Sequence, residues 1–266
     1  MLIESSVYLP PGFAMLQDIL HAPGAEALVR VFLRWAHFVA GIAWIGLLYF
    51  FNLVNVPLQK GLDADTKKKV NPDLLTRTLW YFRWGAVVTV LVGLMYYAMY
   101  ILKGDVVNAN ANDGNANTWL ILIVWLIIGI VTFAIEFMII TRVPALTKDG
   151  RVLAVVVAIL VILMAVVIVY WLNSSLTTPG GDSYASNKTL SIGIGGALGL
   201  IMLLNVWGII WPSQKRIIAA TAGTGPAAPP ELARRAFLAS RTNAWLSLPM
   251  LFLMATSHGD YVILGK

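Results

Sequence analysis

The chain has 266 residues, 59% of them hydrophobic and only 12% charged, and the apolar residues fall in long blocks. Such a composition reads as an integral membrane protein of the helical type. The absence of cysteine excludes disulfides, iron–sulfur clusters, zinc–thiolate sites and a covalently attached c-type haem, which needs Cys-x-x-Cys-His. A net charge of +6 would suit nucleic acid in a soluble protein. Here the basic residues sit in short loops beside apolar blocks, so the positive-inside bias accounts for them and no nucleic-acid partner is expected.

In chain order, residues 1–27 form an N-terminal interfacial segment. They carry Glu4, Asp18 and Glu26 and no basic start, so they do not read as a cleavable signal. A short helix is expected over Gly12 to His21, with His21 solvated near Pro23-Gly24. Residues 28–266 then read as one transmembrane bundle. Runs of about 20 apolar residues suffice to span the hydrocarbon core, and six can be placed near 28–55, 78–102, 119–141, 152–173, 189–211 and 236–257. Arg241, Asn243 and Pro249 interrupt the sixth; such residues survive in a span when they face a protein interior or a cofactor. Pro212 reads as the stop that ends the fifth. The fold class is thus all-α: a polytopic bundle of about six helices.

The loops set the orientation. The connection from Leu58 to Arg77 holds Lys60, Lys67, Lys68, Lys69 and Arg77; residues 142–151 and 212–235 are also basic. The NANANDGNAN run and the TTPGGDS stretch, read as flexible loops, lie in connections with one lysine each. The basic loops are therefore expected in the cytoplasm and both termini on the periplasmic side.

An ionisable side chain inside a span needs a partner. His37, with Arg34 one turn before it, lies about nine residues into the first span, or roughly 13 Å below its outer end. His258 ends the sixth span on the same side. Two such histidines can supply both axial nitrogens of a haem b, and Gly41, Gly46, Gly85 and Gly93 offer small surfaces for close approach. The alternatives are a plain hydrogen bond from His37 to a neighbouring helix, and copper bound by the same imidazoles with Met250 or Met254 completing the set. Arg83, among Trp80 and Trp84, either snorkels or meets an anion or haem propionate. Glu136 is either paired to an arginine or part of a proton path. Asn205, Trp207, Trp211 and Gln214 could hold a planar heterocycle, although tryptophans at a span end also form interfacial belts.

Four blocks carry a resemblance. RWAHFVAGIAWIGLLYFFNLVNVP, LWYFRWGAVVTVLVGL, NVWGIIWPSQKRII and SRTNAWLSLPMLFLMATSH, in this order, resemble the membrane domain of the membrane-bound, cytochrome-c-linked urate oxidases, also called urate hydroxylases. The resemblance implies a bacterial inner-membrane protein that oxidises urate toward 5-hydroxyisourate with oxygen from water. The matching positions are His37 with Arg34 and Trp44 as cofactor candidates, and Arg83, Asn205, Gln214, Arg241 and Asn243 as catalytic candidates. His258 falls in the fourth block; its pairing with His37 on haem b comes from span depth. Full-length members append a c-type cytochrome domain, whereas this chain ends at Lys266 without cysteine, so a separate cytochrome c is the expected acceptor. Two other classes remain open. One is a non-catalytic haem b or accessory subunit of a respiratory complex; the other is a transporter or cofactor-free assembly subunit with Glu136 as its proton-coupling group.

Overall fold

The computed structural model describes residues 23–258 and 262–265, so the expected helix over 12–21 and His21 lie outside the described residues. The described chain is helical, with one isolated β-bridge between Thr177 and Ser183. In chain order α1 is Ala25–Tyr49, α2 Val56–Gly61, α3 Ala64–Tyr96, α4 Lys103–Asn110, α5 Thr118–Arg142 and α6 Pro144–Thr147. Then follow α7 Gly150–Ser175, α8 Asn187–Asn205, α9 Trp211–Thr221 and α10 Pro230–Thr256. Three wider π-helical segments, Phe50–Asn55, Tyr97–Leu102 and Val206–Ile210, join α1 to α2, α3 to α4 and α8 to α9 into continuous rods.

Five of these helices or rods are long and apolar enough to cross a membrane, and they overlap the first five expected spans. Their outward faces are apolar. On α1 these include Val31, Phe32, Trp35, Phe38 and Ile42, each more than half exposed. An apolar surface of that extent belongs against lipid.

The sixth expected span is α10, which has the length, 27 residues, but not the apolarity of the other five. Three of its polar residues lie on one face and are paired. Ser240 Oγ accepts from Asn52 Nδ2 at 2.9 Å, Asn243 Oδ1 accepts from Asn205 Nδ2 at 2.9 Å, and Ser247 Oγ meets Tyr49 Oη at 2.9 Å. Positions 240, 243 and 247 follow the three-and-four spacing of one helical stripe. The opposite face carries exposed Trp245, Leu248 and Phe252. Part of the low hydropathy here comes from an inward stripe.

The centre of the bundle is α8. Two thirds of the most apolar window of its rod is buried (67%), against 22% for those of α1 and α7. Helices in lipid associate by close packing, because lipid tails are as apolar as the partner helix, and small residues make that possible. The run SIGIGGALGL supplies them. A Cβ at Gly193 would stand 2.6 Å from Leu172 Cδ1 of α7, and the Gly193 carbonyl accepts from Trp125 Nε1 of α5 at 2.8 Å.

Pro212 does not stop the fifth span. It lies in the first turn of α9, immediately after the π segment Val206–Ile210, and the helix runs on to Thr221. Pro57 stands in the same relation to Phe50–Asn55. A proline lacks the N–H for a normal helical bond and crowds the preceding turn; the extra residue of a π turn relieves both.

The connections are also more ordered than expected. The stretch 58–77 is mostly helix, because Asp63 caps α3 by accepting from the Thr66 amide at 2.8 Å and the Thr66 hydroxyl at 2.7 Å. In the NANANDGNAN run, helix α4 extends to Asn110. That side chain then donates to the Ala116 carbonyl at 3.0 Å and accepts from its amide at 2.7 Å, closing the loop.

Candidate functional site

A cavity of about 440 Å³ lies among α1, α3, α5, α8 and α10. His37 and His258, from opposite ends of the described bundle, both line it, with Arg34 and Trp44. Its wall is otherwise almost wholly apolar or aromatic, including Tyr96, Trp125, Met250 and Met254.

His37 is held from α3. Its Nδ1 lies 2.8 Å from the carbonyl oxygen of Thr89, which can only accept, so Nδ1 carries the proton and Nε2 keeps its lone pair. The ring packs directly on the bare backbone of Gly93, where a Cβ would come within 2.7 Å of both Cε1 and Nδ1. The inter-helix hydrogen bond open to a lone histidine is therefore made, and it fixes the tautomer that leaves Nε2 available. Metal-bound imidazoles are oriented in the same way, by donating the other ring N–H to a carbonyl.

His258 follows the last turn of α10 and is exposed, its Nδ1 2.7 Å from Ser257 Oγ. Partial burial lowers its pKa, and the positive charges of Arg34 and Lys188 act in the same direction. The neutral imidazole, the form that binds a metal, is favoured.

The imidazoles are donors of the kind that could hold a metal or an iron-centred macrocycle. Two imidazoles reach one apolar cavity, and five glycines, Gly41, Gly46, Gly93, Gly196 and Gly199, keep its walls thin. Trp44 is 1% exposed, and its indole N–H has no acceptor among the described residues. No group of three or more His, Cys, Asp or Glu side chains suited to a metal occurs among the described residues, so the soft donors available beside the imidazoles are the thioethers of Met250 and Met254.

The other candidates are dispersed. Glu136, Asn205 and Asn243 are each 0% exposed and joined: Asn205 Nδ2 donates to Glu136 Oε1 at 2.8 Å and to Asn243 Oδ1, and Asn243 Nδ2 donates to the Met202 carbonyl at 2.9 Å. Glu136 is thus met by an amide and not by an arginine. Arg83 lies over aromatic rings, its guanidinium carbon 3.8 Å from the ring centroid of Trp211 and 5.8 Å from that of Trp207. Gln214 is half-buried on α9, three residues beyond Trp211. Arg241 lines a separate groove beside α7, its guanidinium carbon 5.4 Å from the Phe237 ring centroid. Gly85 lies outside the cavity lining, packed on Trp44 and the Ala40 carbonyl.

Several contributors escaped the sequence reading: Thr89, whose backbone does the work, and Gly196 and Gly199 of α8. The concentration of glycines in one apolar block was the available signal for the last two.

Fold and site together define a helical membrane-type protein with an intramembrane, histidine-bearing cavity. The chain belongs to the family described as Urate oxidase N-terminal, whose model matches residues 25–264. Comparison with curated proteins and with solved structures gave no match.

Proposed function

We propose that this chain is a membrane-embedded redox protein of the bacterial inner membrane that oxidises urate toward 5-hydroxyisourate and delivers the electrons, by way of a haem b, to a separate cytochrome c. The observation that carries the reading is that His37 and His258 line one and the same apolar cavity. Family membership supports urate as the substrate. In the overall change water supplies the oxygen of the new C–O bond, urate gives up two electrons, and two protons are released from urate and water together.

His37, with Nδ1–H on Thr89, and His258 would hold the haem group through their imidazoles, with Arg34 as a cation beside them. A haem held there supplies one-electron redox chemistry, its potential set by ligands and burial. Urate is a planar monoanion near neutral pH, so its site needs permanent positive charge beside aromatic surface. Arg83 with Trp207 and Trp211 offers that pairing, and Gln214 adds an amide. Arg83 precedes Thr89 by six residues on α3, about 9 Å along the axis, which sets this cluster one to two turns from the His37 anchor.

A second reading is favoured by one observation. Asn205 and Asn243 are fully buried and engaged with each other and Glu136, and Arg241 lies elsewhere. A chain without an assembled catalytic set would serve as a haem b electron-transfer subunit of a respiratory complex.

The test is a visible spectrum of the purified protein with metal analysis. A Soret band lost in His37→Ala and His258→Ala supports the haem site; stoichiometric copper without that band assigns the imidazoles to copper instead. Reduction of the band, or of added cytochrome c, by urate separates enzyme from relay. A protein with neither haem nor copper after supplementation would overturn both readings.

A further inference from the structure

Helices α7 and α10 both pack on α8 but scarcely touch each other, leaving a groove of about 590 Å³ that shares no lining residue with the histidine cavity. Its floor is apolar, with Val157, Val161, Leu246 and Pro249. Its polar residues are Arg151, Arg234, Arg241, Thr242 and Asp149. Three cations against one anion leave a formal charge of +2.

These charges are not neutralised by ion pairs among the described residues. Among the described residues the ion pairs are Arg30 with Glu26 and Arg77 with Asp73. Asp149 is engaged as the cap of α7, accepting from the Arg151 amide at 2.8 Å. Arg234 is fixed by donating to the carbonyls of Thr147 at 2.8 Å and Lys148 at 3.2 Å through one nitrogen, which leaves the rest of its fork free. Arg241 rests on Phe237 without a carboxylate.

An apolar furrow on the lipid-facing side of two spans, with unpaired guanidinium groups among its lining, matches an amphiphile with a negative head. Arginine forks suit phosphate oxygens, and basic pockets between membrane helices hold anionic lipid headgroups. A second copy of the chain or a foreign helix would have to bury the same cations, and would need carboxylates of its own to match them.

We propose that this groove is a binding site for one anionic phospholipid, its phosphate held by Arg151 and Arg241 and one acyl chain lying along Val157, Val161 and Pro249. The site is independent of the haem reading, since it shares no lining residue with that cavity.

The experiment is native mass spectrometry of the full chain released from nanodiscs of phosphatidylglycerol or phosphatidylcholine. The wild type should retain one phosphatidylglycerol at least tenfold more often than one phosphatidylcholine. Arg151→Gln with Arg241→Gln should abolish the preference, with unchanged helix content by circular dichroism. Ala158→Phe, at an exposed rim position, should lower retention of both lipids without touching charge. Equal retention of the two lipids by the wild type, or an undiminished preference in the folded double variant, would overturn the proposal. A wild-type dimer by light scattering that the double variant breaks, with no lipid preference, would assign the groove to a second copy and overturn it equally.

Discussion

The Nδ1 atom of His37 lies 2.8 Å from the carbonyl oxygen of Thr89, so a backbone acceptor on α3 decides which nitrogen of an α1 imidazole is free. The ring has no room to retreat, because Gly93 is already against it. Gly93→Val should push the imidazole off its carbonyl and, on the haem reading, reduce retained haem about 10- to 100-fold, as loss of an orienting partner does at metal sites. Soret absorbance per protein measures it. Unchanged absorbance in a folded Gly93→Val protein would remove His37 from the site.

The buried trio of Glu136, Asn205 and Asn243 makes a second prediction. Asn205→Ala strips Glu136 Oε1 of its donor inside the bundle and should destabilise the protein by about 1–3 kcal/mol. Glu136→Gln keeps an acceptor facing Asn205 Nδ2 and should cost less. Thermal unfolding in detergent reads the order, and the reverse order would contradict the pairing seen here.

How much of this was legible in the chain depends on the kind of signal. Apolar run length located five spans, and several polar residues of the sixth expected one point inward, as Ser240, Asn243 and Ser247 show on α10. His37, His258, Arg34 and Trp44 share one cavity because span depth follows directly from sequence position. What one-dimensional pattern could not give was rotation about each helix axis. Arg241 and Asn243 are two residues apart, yet one lines a groove beside α7 while the other is sealed against Asn205. Pro212 misled for a related reason: a π turn before a proline is a matter of local geometry that composition does not encode.

Arg83 should discriminate shape from charge. Arg83→Lys keeps the cation but loses the planar fork over Trp211, so apparent urate affinity should fall by about 2- to 30-fold, the range of a cation–π contact worth about 0.5–2 kcal/mol. Initial rates of cytochrome c reduction against urate concentration give KM and kcat. A change confined to kcat would place urate elsewhere.

The cap of α3 makes a pH prediction. Hydrogen bonds from the Thr66 amide and hydroxyl hold the Asp63 carboxyl below its ordinary value of 3.8. A depressed folded pKa favours the ionised form. The stabilisation is therefore complete above 3.8 and disappears as pH falls through the lower folded value. Amide exchange at Thr66 and Lys67, corrected for intrinsic rates, should rise on acidification in the wild type and be fast already at neutral pH in Asp63→Ala. Identical profiles for the two proteins would exclude the cap as the cause.

Phe38 and Ile42 are 60% and 74% exposed on the outer face of α1, and both also border the histidine cavity. The chamber therefore opens sideways, onto the surface that acyl chains cover. A flat, greasy prosthetic group would arrive by dissolving in the bilayer and sliding between helices, and its delivery would depend on the fluidity of the surrounding membrane more than on its concentration in water.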